Sequence, residues 1–542
     1  MINLFKSSRL SREQKLEKIN KLTDRQLIVS WGIILFAYFL FIVNWYLIDN
    51  LAGNYQYHNN EDGKQWLGWS QSFFFKNPGA IATAATNWSI TLFRGVGSFF
   101  AGWFIGKLGH RKTVLTMIGL MAFSFPFIVV AYPFGGNNAL VLSESNIFYE
   151  NNGTLINGIG SKAQGSLTTL TALGYSLFII FRTLLAVGGT ALISYTQPVI
   201  AKLSTINKKA KISQINPFGF NMGAAFPFLL FAFSLKFKAD ASKDWYIVCA
   251  IFIGFIVAAW LGYFFFGKEV VLPKEKHTTL ETNLTLKQCI KDKNVIRLFL
   301  MFGSWLLAVV WFLSGTYAGI VNASPHNYFD ASKNEAITQL SATYTSLTSA
   351  AFVLGLFLGL FLLNPFNKTR YQRKWYLITM YTLGMIFIVA SFAFGYSGRT
   401  NNPALAALQI ICSFFAGAFL WGIQSTILLI PHEFKGSSPA KVGTQFGVIW
   451  GVGYILYTVY DIVLSIVSQG AELANVSFDA SAGQLNPAHV SAFVLFVVLS
   501  FLFVLFALKL PQSGRVINGE WTPLTDKWPF MSFNFYKGDI FK

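Results

Sequence analysis

The chain has 542 residues, of which 54% are hydrophobic and only 12% are charged. This composition is too apolar for a soluble protein of that length, so we expect the chain to reside in a lipid bilayer. Its three cysteines lie far apart without CxxC or His-rich neighbours, which argues against a disulfide framework and against a metal site, and no cofactor motif is present.

Twelve apolar runs follow one another along the chain. Each is long enough to cross a bilayer as a helix, which takes about 20 residues, and none alternates with the two-residue period of a β-barrel strand. The predicted fold class is therefore an all-α polytopic membrane protein with twelve transmembrane helices. The predicted spans, numbered 1 to 12, cover residues 26–48, 81–106, 113–134, 168–198, 213–236, 245–266, 296–322, 336–364, 375–396, 403–431, 440–466 and 488–510.

Basic residues predict the orientation of these spans. If the amino terminus is cytoplasmic, the inner segments hold about four times as many Lys and Arg residues as the outer segments, as the positive-inside rule requires. Both termini are then predicted to be cytoplasmic, in a multi-pass protein of the plasma membrane. These loops and the attraction of anionic inner-leaflet lipid explain the net charge of +19, so nucleic acid is not an expected partner.

Span 2 contains an arginine where apolar side chains are expected. Arg94 lies about 13 residues from either end of the span, roughly 20 Å along a helix, which is too far for its side chain to reach the headgroups. Asn87, Thr91 and Ser98 share its helical face. Because a lipid-facing arginine is costly, we predict that this polar stripe lines a cavity and that Arg94, Asn87 and Thr91 bind a solute. The alternative is a structural arginine bonded to backbone carbonyls.

Span 2 ends in the sequence GWFIGKLGHRK, residues 102–112. Gly109 predicts a tight turn between antiparallel helices, while Lys107 and Arg111 provide hydrogen-bond donors for headgroups or for a neighbouring helix end. Further along the chain, the stretch FRTLLAVGG begins at residue 181 in span 4. Its arginine, Arg182, lies about midway along the span.

Arg182 has Tyr175 two turns earlier on roughly the same helical face. We predict both residues as candidates for solute binding. A structural or gating role for Arg182 is the alternative.

The loop and the span 4 stretch resemble two signatures of the major facilitator superfamily. The loop resembles that family's pattern G-x-L-A-D-R-x-G-R-R, with Gly102, Lys107, Gly109 and Arg111 at the matching positions. FRTLLAVGG resembles the Arg-plus-glycine signature of helix 4. The chain as a whole resembles the divergent facilitators of wall-less bacteria that are labelled hexose-phosphate transporter-like.

The resemblance implies two six-helix bundles that rock around a central site, with a gating role for the four loop residues. The family's loop aspartate is replaced here by Gly106. This departure implies that another contact closes the cytoplasmic gate, or that the gate is looser.

A long basic connection divides the twelve spans into six and six. We therefore expect two helical bundles, here called the first half and the second half. Residues of span 4 recur in span 10 at a constant offset of 233, as with Gly189 and Gly422, which is expected of a duplicated six-helix unit. The predicted divisions are a cytoplasmic segment 1–25, the first half 26–266, a linker 267–295, the second half 296–510 and a cytoplasmic tail 511–542.

The second half contains polar and aromatic residues that are candidates for the other wall of the site. Such side chains stack on a solute and hydrogen-bond to it, although Trp and Tyr are also common at membrane interfaces. The candidates are Trp311, Tyr317, Gln424 and Tyr454.

Asp461 is the only carboxylate inside a predicted span, and it falls towards the outer end of span 11. One interpretation is a proton-coupling site in a solvent-accessible vestibule. The other is a hydrated carboxylate close to the interface.

Two mid-membrane arginines against one acid predict a positively charged cavity, which favours an organic anion or a phosphorylated metabolite. Our leading hypothesis is a secondary active transporter that moves a small anionic solute by alternating access. Protons and a counter-transported anion both stay open as coupling partners. The alternatives are a neutral sugar or drug facilitator, a proton-coupled porter of the same fold, and a non-transporting sensor. An enzyme is not indicated, because paired carboxylates, HExxH and GxSxG are missing from the sequence.

Overall fold

The structure is a computed structural model that describes residues 22–51, 69, 79–130, 159–204, 208, 212, 215–233, 237–238, 240–241, 244–270, 286–313, 335–363, 373–397, 403–435, 439–473, 487–517 and 520–524. The first half contains seven described helices, which are α1 (Asp24–Asn50), α2 (Gly79–Leu108), α3 (His110–Val130), α4 (Ile159–Thr190), α5 (Leu192–Ala201), α6 (Phe218–Phe233) and α7 (Trp245–Phe266).

A short helix, α8 (Leu286–Lys291), lies in the predicted linker. The second half contains α9 (Lys293–Trp311), α10 (Glu335–Leu358) with a π-helical turn at Gly359–Leu363, α11 (Arg373–Ser397), α12 (Pro403–Gly422), α13 (Gln424–Leu429) with a 3-10 turn at Ile430–Glu433, α14 (Pro439–Leu473) and α15 (Pro487–Leu508). In the predicted tail, β1 (Gly514–Ile517) pairs antiparallel with β2 (Glu520–Pro523).

Each predicted span coincides with at least one of these helices, which confirms the all-α polytopic class. Within the described ranges, nine helical stretches are long and apolar enough to cross a membrane. The helices at spans 2, 3 and 5 are outside this set; α2 carries the polar stripe, and α6 has only 16 residues. The number of twelve crossings and the cytoplasmic termini therefore stay predictions.

Spans 4 and 10 are each interrupted at matching positions. α4 ends at Thr190 and α5 begins at Leu192, whereas α12 ends at Gly422 and α13 begins at Gln424. The breaks at residues 191 and 423 are separated by the repeat offset of 233 to within one residue. This agreement supports the predicted duplication.

The helices pack against one another within each half and also between the halves. In the first half, α3 packs against α4 and α7, and α1 packs against α6 and α7. In the second half, α12 packs against α10 and α11, and α14 packs against α9 and α15. The halves meet where α2 packs against α14 and α6 packs against α10. Arg94 on α2 is thereby placed at the contact between the halves.

Glycines allow α2 and α14 to approach closely one residue beyond Arg94. A Cβ atom on Gly95 would lie 2.7 Å from the carbonyl oxygen of Gly451, and one on Gly451 would lie 2.9 Å from the carbonyl oxygen of Gly95. Small residues permit this backbone contact between membrane helices.

Candidate functional site

The guanidinium of Arg94 is enclosed by an aromatic cage. Its side chain is 0% exposed, although it carries a full charge. Favourable cation–π contact extends to about 6 Å from a ring centre. The guanidinium carbon lies 4.4 Å from the ring centre of Tyr454, 5.1 Å from Phe220, 5.3 Å from Trp45, 5.8 Å from Tyr38 and 6.0 Å from Phe41. The cage therefore combines α1 and α6 of the first half with α14 of the second half.

Arg94 makes fewer hydrogen bonds than its donors allow. Nη2 donates to the Tyr38 hydroxyl at 2.5 Å. Nε and Nη1 have no hydrogen-bond partner among the described residues, and none of the described carboxylates forms an ion pair with this arginine. Burying a charge that lacks a counter-ion and has unsatisfied donors is costly. The cage is thus a cationic site with unused donors.

Arg182 is buried as well, but its charge is compensated. Its Nη2 donates to Asp49 Oδ1 at 2.6 Å and to the carbonyl oxygen of Trp45 at 3.1 Å. Asp49 lies one residue beyond predicted span 1, but α1 continues through Asn50 and includes it, so Arg182 has an acid partner that the predicted spans left out. Tyr175 is half-buried on the same helix, where its ring stacks at 6.5 Å on Trp69.

The polar stripe on α2 faces α14 in this structure. Asn87 Nδ2 donates to Asp461 Oδ2 at 2.8 Å and to the Tyr457 hydroxyl at 3.0 Å. One turn further along α2, the hydroxyls of Thr91 and Thr458 lie 2.8 Å apart. Asp461 is 1% exposed, so it is buried between the halves rather than hydrated at an interface.

Trp45 contacts Arg94, Asn87 and Arg182, and sequence reasoning missed it. Its ring borders Arg94, its indole Nε1 donates to Asn87 Oδ1 at 3.1 Å, and its carbonyl oxygen accepts from Arg182. A tryptophan in an apolar run carries no sequence signal that separates such a role from ordinary packing. Asp49 was detectable, because helix ends are uncertain by one or two residues and it lies directly beyond span 1.

The loop after α2 forms the predicted tight turn at Gly109, which has a φ of +80°. Such a left-handed conformation favours glycine. Glu269 accepts from the backbone N–H groups of His110 at 2.8 Å and Arg111 at 3.2 Å, and so caps the start of α3. His110 precedes span 3, and burial lowers the pKa of its imidazole because the charged form is disfavoured.

Arg111 directs its side chain to the end of α7. Nε donates to the Gly267 carbonyl at 2.9 Å and Nη2 to the Phe264 carbonyl at 2.6 Å. Gly102 lies within α2, and Lys107 is exposed near its end. These bonds of Arg111 stay within the first half and its linker, so the gating role of the loop residues stays a prediction.

The remaining candidates are not brought to the cage by any described contact. Trp311 stacks on Phe496 of α15 with ring centres 4.2 Å apart. Gln424 is buried at the start of α13, and its Oε1 has no partner in the described part of the chain. Tyr317 lies outside the described residues.

Comparison with known proteins identifies the family. Residues 178–469 match the sequence family described as Mycoplasma MFS transporter. A major facilitator superfamily transporter of Mycoplasma pneumoniae is 32% identical, over 93% of this chain and 97% of that protein. One from Mycoplasma genitalium is also 32% identical, over 96% of this chain and 97% of its own length. The chain belongs to the Mycoplasma branch of the major facilitator superfamily.

Solved structures share the fold of this facilitator. A D-xylose–proton symporter aligns over 90% of this chain and 98% of its own, with a TM-score of 0.54 and 14% identity. A nucleoside transporter aligns over 89% of this chain and 99% of its own, with a TM-score of 0.52 and 14% identity. Family membership confirms the predicted multi-pass membrane transporter that works by alternating access, and confirms that this facilitator is not an enzyme.

Proposed function

We propose that this facilitator carries a small anionic solute, an organic anion or a phosphorylated metabolite, and that Arg94 binds its anionic group. The observation that carries the proposal is the state of Arg94, which is a buried cation without an ion-pair partner among the described residues and with unused donors. A bound anion supplies both the missing charge and the missing acceptors. We assign Arg182 a structural role, because the carboxylate of Asp49 already neutralises its charge.

The cage supports this assignment. Its rings present flat faces to the apolar side of a solute, and they exclude water, which strengthens the attraction between guanidinium and anion. Because the rings come from both halves, a solute held here is exposed to one side or the other when the halves rock. Tyr454 and Trp45 are the ring residues that we assign to solute contact, and Asn87 and Thr91 are assigned to the contact with α14.

The test is uptake and counterflow in proteoliposomes, with a panel of labelled organic anions, sugar phosphates and neutral sugars. Arg94→Gln is expected to reduce anion uptake about 30-fold or more, because loss of a buried charge partner costs about 2–5 kcal/mol. Arg94→Lys is expected to retain part of the uptake, since the charge stays but the planar donors are lost.

The matched control is the double variant Asp49→Asn/Arg182→Gln, which removes the other buried arginine together with its acid. We expect it to keep the solute preference of the parent. Uptake of neutral sugars that survives Arg94→Gln would overturn the proposal in favour of the neutral facilitator. Absence of any uptake, with stability that responds to added anion, would favour the non-transporting sensor.

We also propose that Asp461 is the site of proton coupling. This assignment rests on the surroundings of its carboxyl group and is independent of the Arg94 assignment. Its carboxylate is buried, is bonded to the Asn87 amide, and forms no ion pair within the described ranges. A carboxylate buried without a cation and then exposed to water during alternating access exchanges a proton readily.

Asp461→Asn is expected to abolish accumulation driven by a pH gradient and to leave solute counterflow in place. The measurement compares the two assays on the same proteoliposomes. Accumulation that keeps its proton dependence in Asp461→Asn contradicts this assignment. Accumulation that instead requires an anion on the opposite side supports antiport.

A further inference from the structure

We propose that Asn87, together with Asp461 and Tyr457, is a latch that holds the predicted outer ends of α2 and α14 together, and that Trp45 positions Asn87 in it. The inference rests on alternating access and not on the chemistry of the solute. It starts from the contact between α2 and α14, where the polar bonds among the described side chains lie on one side of the Gly95–Gly451 crossing.

Several bonds on that side must break before the two helices separate. Besides the bonds of Asn87, the hydroxyls of Thr91 and Thr458 lie 2.8 Å apart. Further out, the backbone N–H of Ile81 donates to Gln469 Oε1 at 3.0 Å. Rocking of the halves about the glycine crossing opens this side only when these bonds are lost. The bonds of Asn87 join the two helices through buried groups, the Asp461 carboxyl group and the Tyr457 hydroxyl.

Trp45 determines which way the Asn87 amide points. The amide oxygen accepts from the Trp45 indole N–H at 3.1 Å, and the amide nitrogen donates across to α14. An amide has its donor and acceptor on opposite sides, so fixing the oxygen on α1 fixes the nitrogen towards Asp461. Without the indole donor, the buried oxygen is left unsatisfied and the latching orientation loses its support.

The same tryptophan joins the latch to the aromatic cage. Its ring centre lies 5.3 Å from the guanidinium carbon of Arg94, while its indole N–H holds Asn87. A solute that displaces this ring therefore also disturbs the bond to Asn87. Trp45 is a positioning residue in this scheme, because it acts on the latch through Asn87.

The test measures how often the latch opens. Ser465 is 1% exposed and lies one turn beyond Asp461 on α14, so the thiol of Ser465→Cys is shielded while the helices are together. A membrane-impermeant maleimide reacts with it when they part. The reporter is combined with Trp45→Phe, which keeps a ring beside Arg94 but removes the indole donor, and separately with Asn87→Leu.

Trp31→Phe is the matched control. Trp31 lies on the same helix, and its indole also donates to an asparagine oxygen, Asn216 Oδ1, at 3.1 Å. That bond is not part of the latch. The control therefore removes an equivalent buried hydrogen bond from α1, and it detects any general loosening of the fold.

We expect the labelling rate to rise about tenfold in Trp45→Phe, the effect of losing one buried hydrogen bond. It should rise at least as much in Asn87→Leu, which removes the three hydrogen bonds of the amide, and stay at the parental value in Trp31→Phe. An unchanged rate in folded Trp45→Phe overturns the inference, as does an equal rise in Trp31→Phe. If Asn87→Leu does not fold, Trp45→Phe decides alone. The assay needs no solute, so its outcome is independent of whether the carried solute is an anion.

Discussion

Arg94 and Arg182 are both fully buried, yet they differ in what surrounds their charge. Arg182 has a carboxylate at 2.6 Å, whereas Arg94 has aromatic rings and one tyrosine hydroxyl. Breaking a buried ion pair by removing one partner is strongly destabilising, since it leaves an uncompensated charge. Removing the acid partner of Arg182 should therefore destabilise the fold, whereas removing Arg94 should not.

We predict that Asp49→Asn lowers the free energy of unfolding by about 3–5 kcal/mol, because Arg182 is then buried without its counter-ion. Arg94→Gln, in contrast, removes an uncompensated charge and should leave stability unchanged or raise it. Thermal unfolding of the purified proteins in detergent measures both effects. Adding Arg182→Gln to Asp49→Asn should restore part of the loss, and equal stability of Asp49→Asn and the parent would contradict the ion-pair assignment.

At the scale of elements, the crossing of α2 and α14 depends more on Gly451 than on Gly447, which lies one helical turn earlier. A Cβ atom on Gly451 would lie 2.4 Å from the ring of Phe99, whereas one on Gly447 would meet only the Ser98 carbonyl oxygen at 3.7 Å. The first distance forces a shift of packed groups, and the second is an ordinary contact. The two glycines are one helical turn apart on the same face of α14, so the sequence alone does not distinguish them.

We predict that Gly451→Ala lowers stability by about 1–3 kcal/mol, the cost of overpacking a close contact, and slows uptake because the halves no longer approach closely. Gly447→Ala is the matched control and should retain parental stability and uptake. Thermal unfolding and initial uptake rates test the pair. Equal behaviour of the two alanine variants would show that the crossing does not lie at Gly451.

The interruptions of spans 4 and 10 also belong to this scale. Gly189 and Gly422 were singled out in the sequence as repeat positions, and each lies within two residues of a break. The Phe41 ring approaches Gly189 so closely that a Cβ atom there would lie 2.2 Å from it. The repeat was therefore visible in the sequence, but the close approach that requires glycine depends on a residue of α1.

At the scale of the whole molecule, the distribution of Lys and Arg predicts the orientation of the chain in the membrane, which helix packing does not test. Lys435 follows α13 and is predicted to face the cytoplasm, and Gly470 lies near the predicted outer end of α14. Both positions are exposed. They therefore serve as reporters of the two sides of the membrane.

We predict that a membrane-impermeant maleimide labels Gly470→Cys on intact cells, and that it labels Lys435→Cys only after permeabilisation. Gly470 is suited to this substitution, because nothing lies within 4 Å of a Cβ atom built there. The three native cysteines are buried and give a low background. The reverse labelling pattern would refute the predicted orientation.

The sequence by itself determined the medium, the helical class, the positions of the predicted spans, the Gly109 turn and the family resemblance. These features depend on local composition and short spacings, which a single chain displays directly. Tertiary structure decided which polar groups meet. Arg182 and Asp49 are 133 residues apart in the chain, and Asn87 and Asp461 are 374 apart. Pairing across such distances depends on which helices become neighbours, so only the folded chain separates the compensated Arg182 from the uncompensated Arg94.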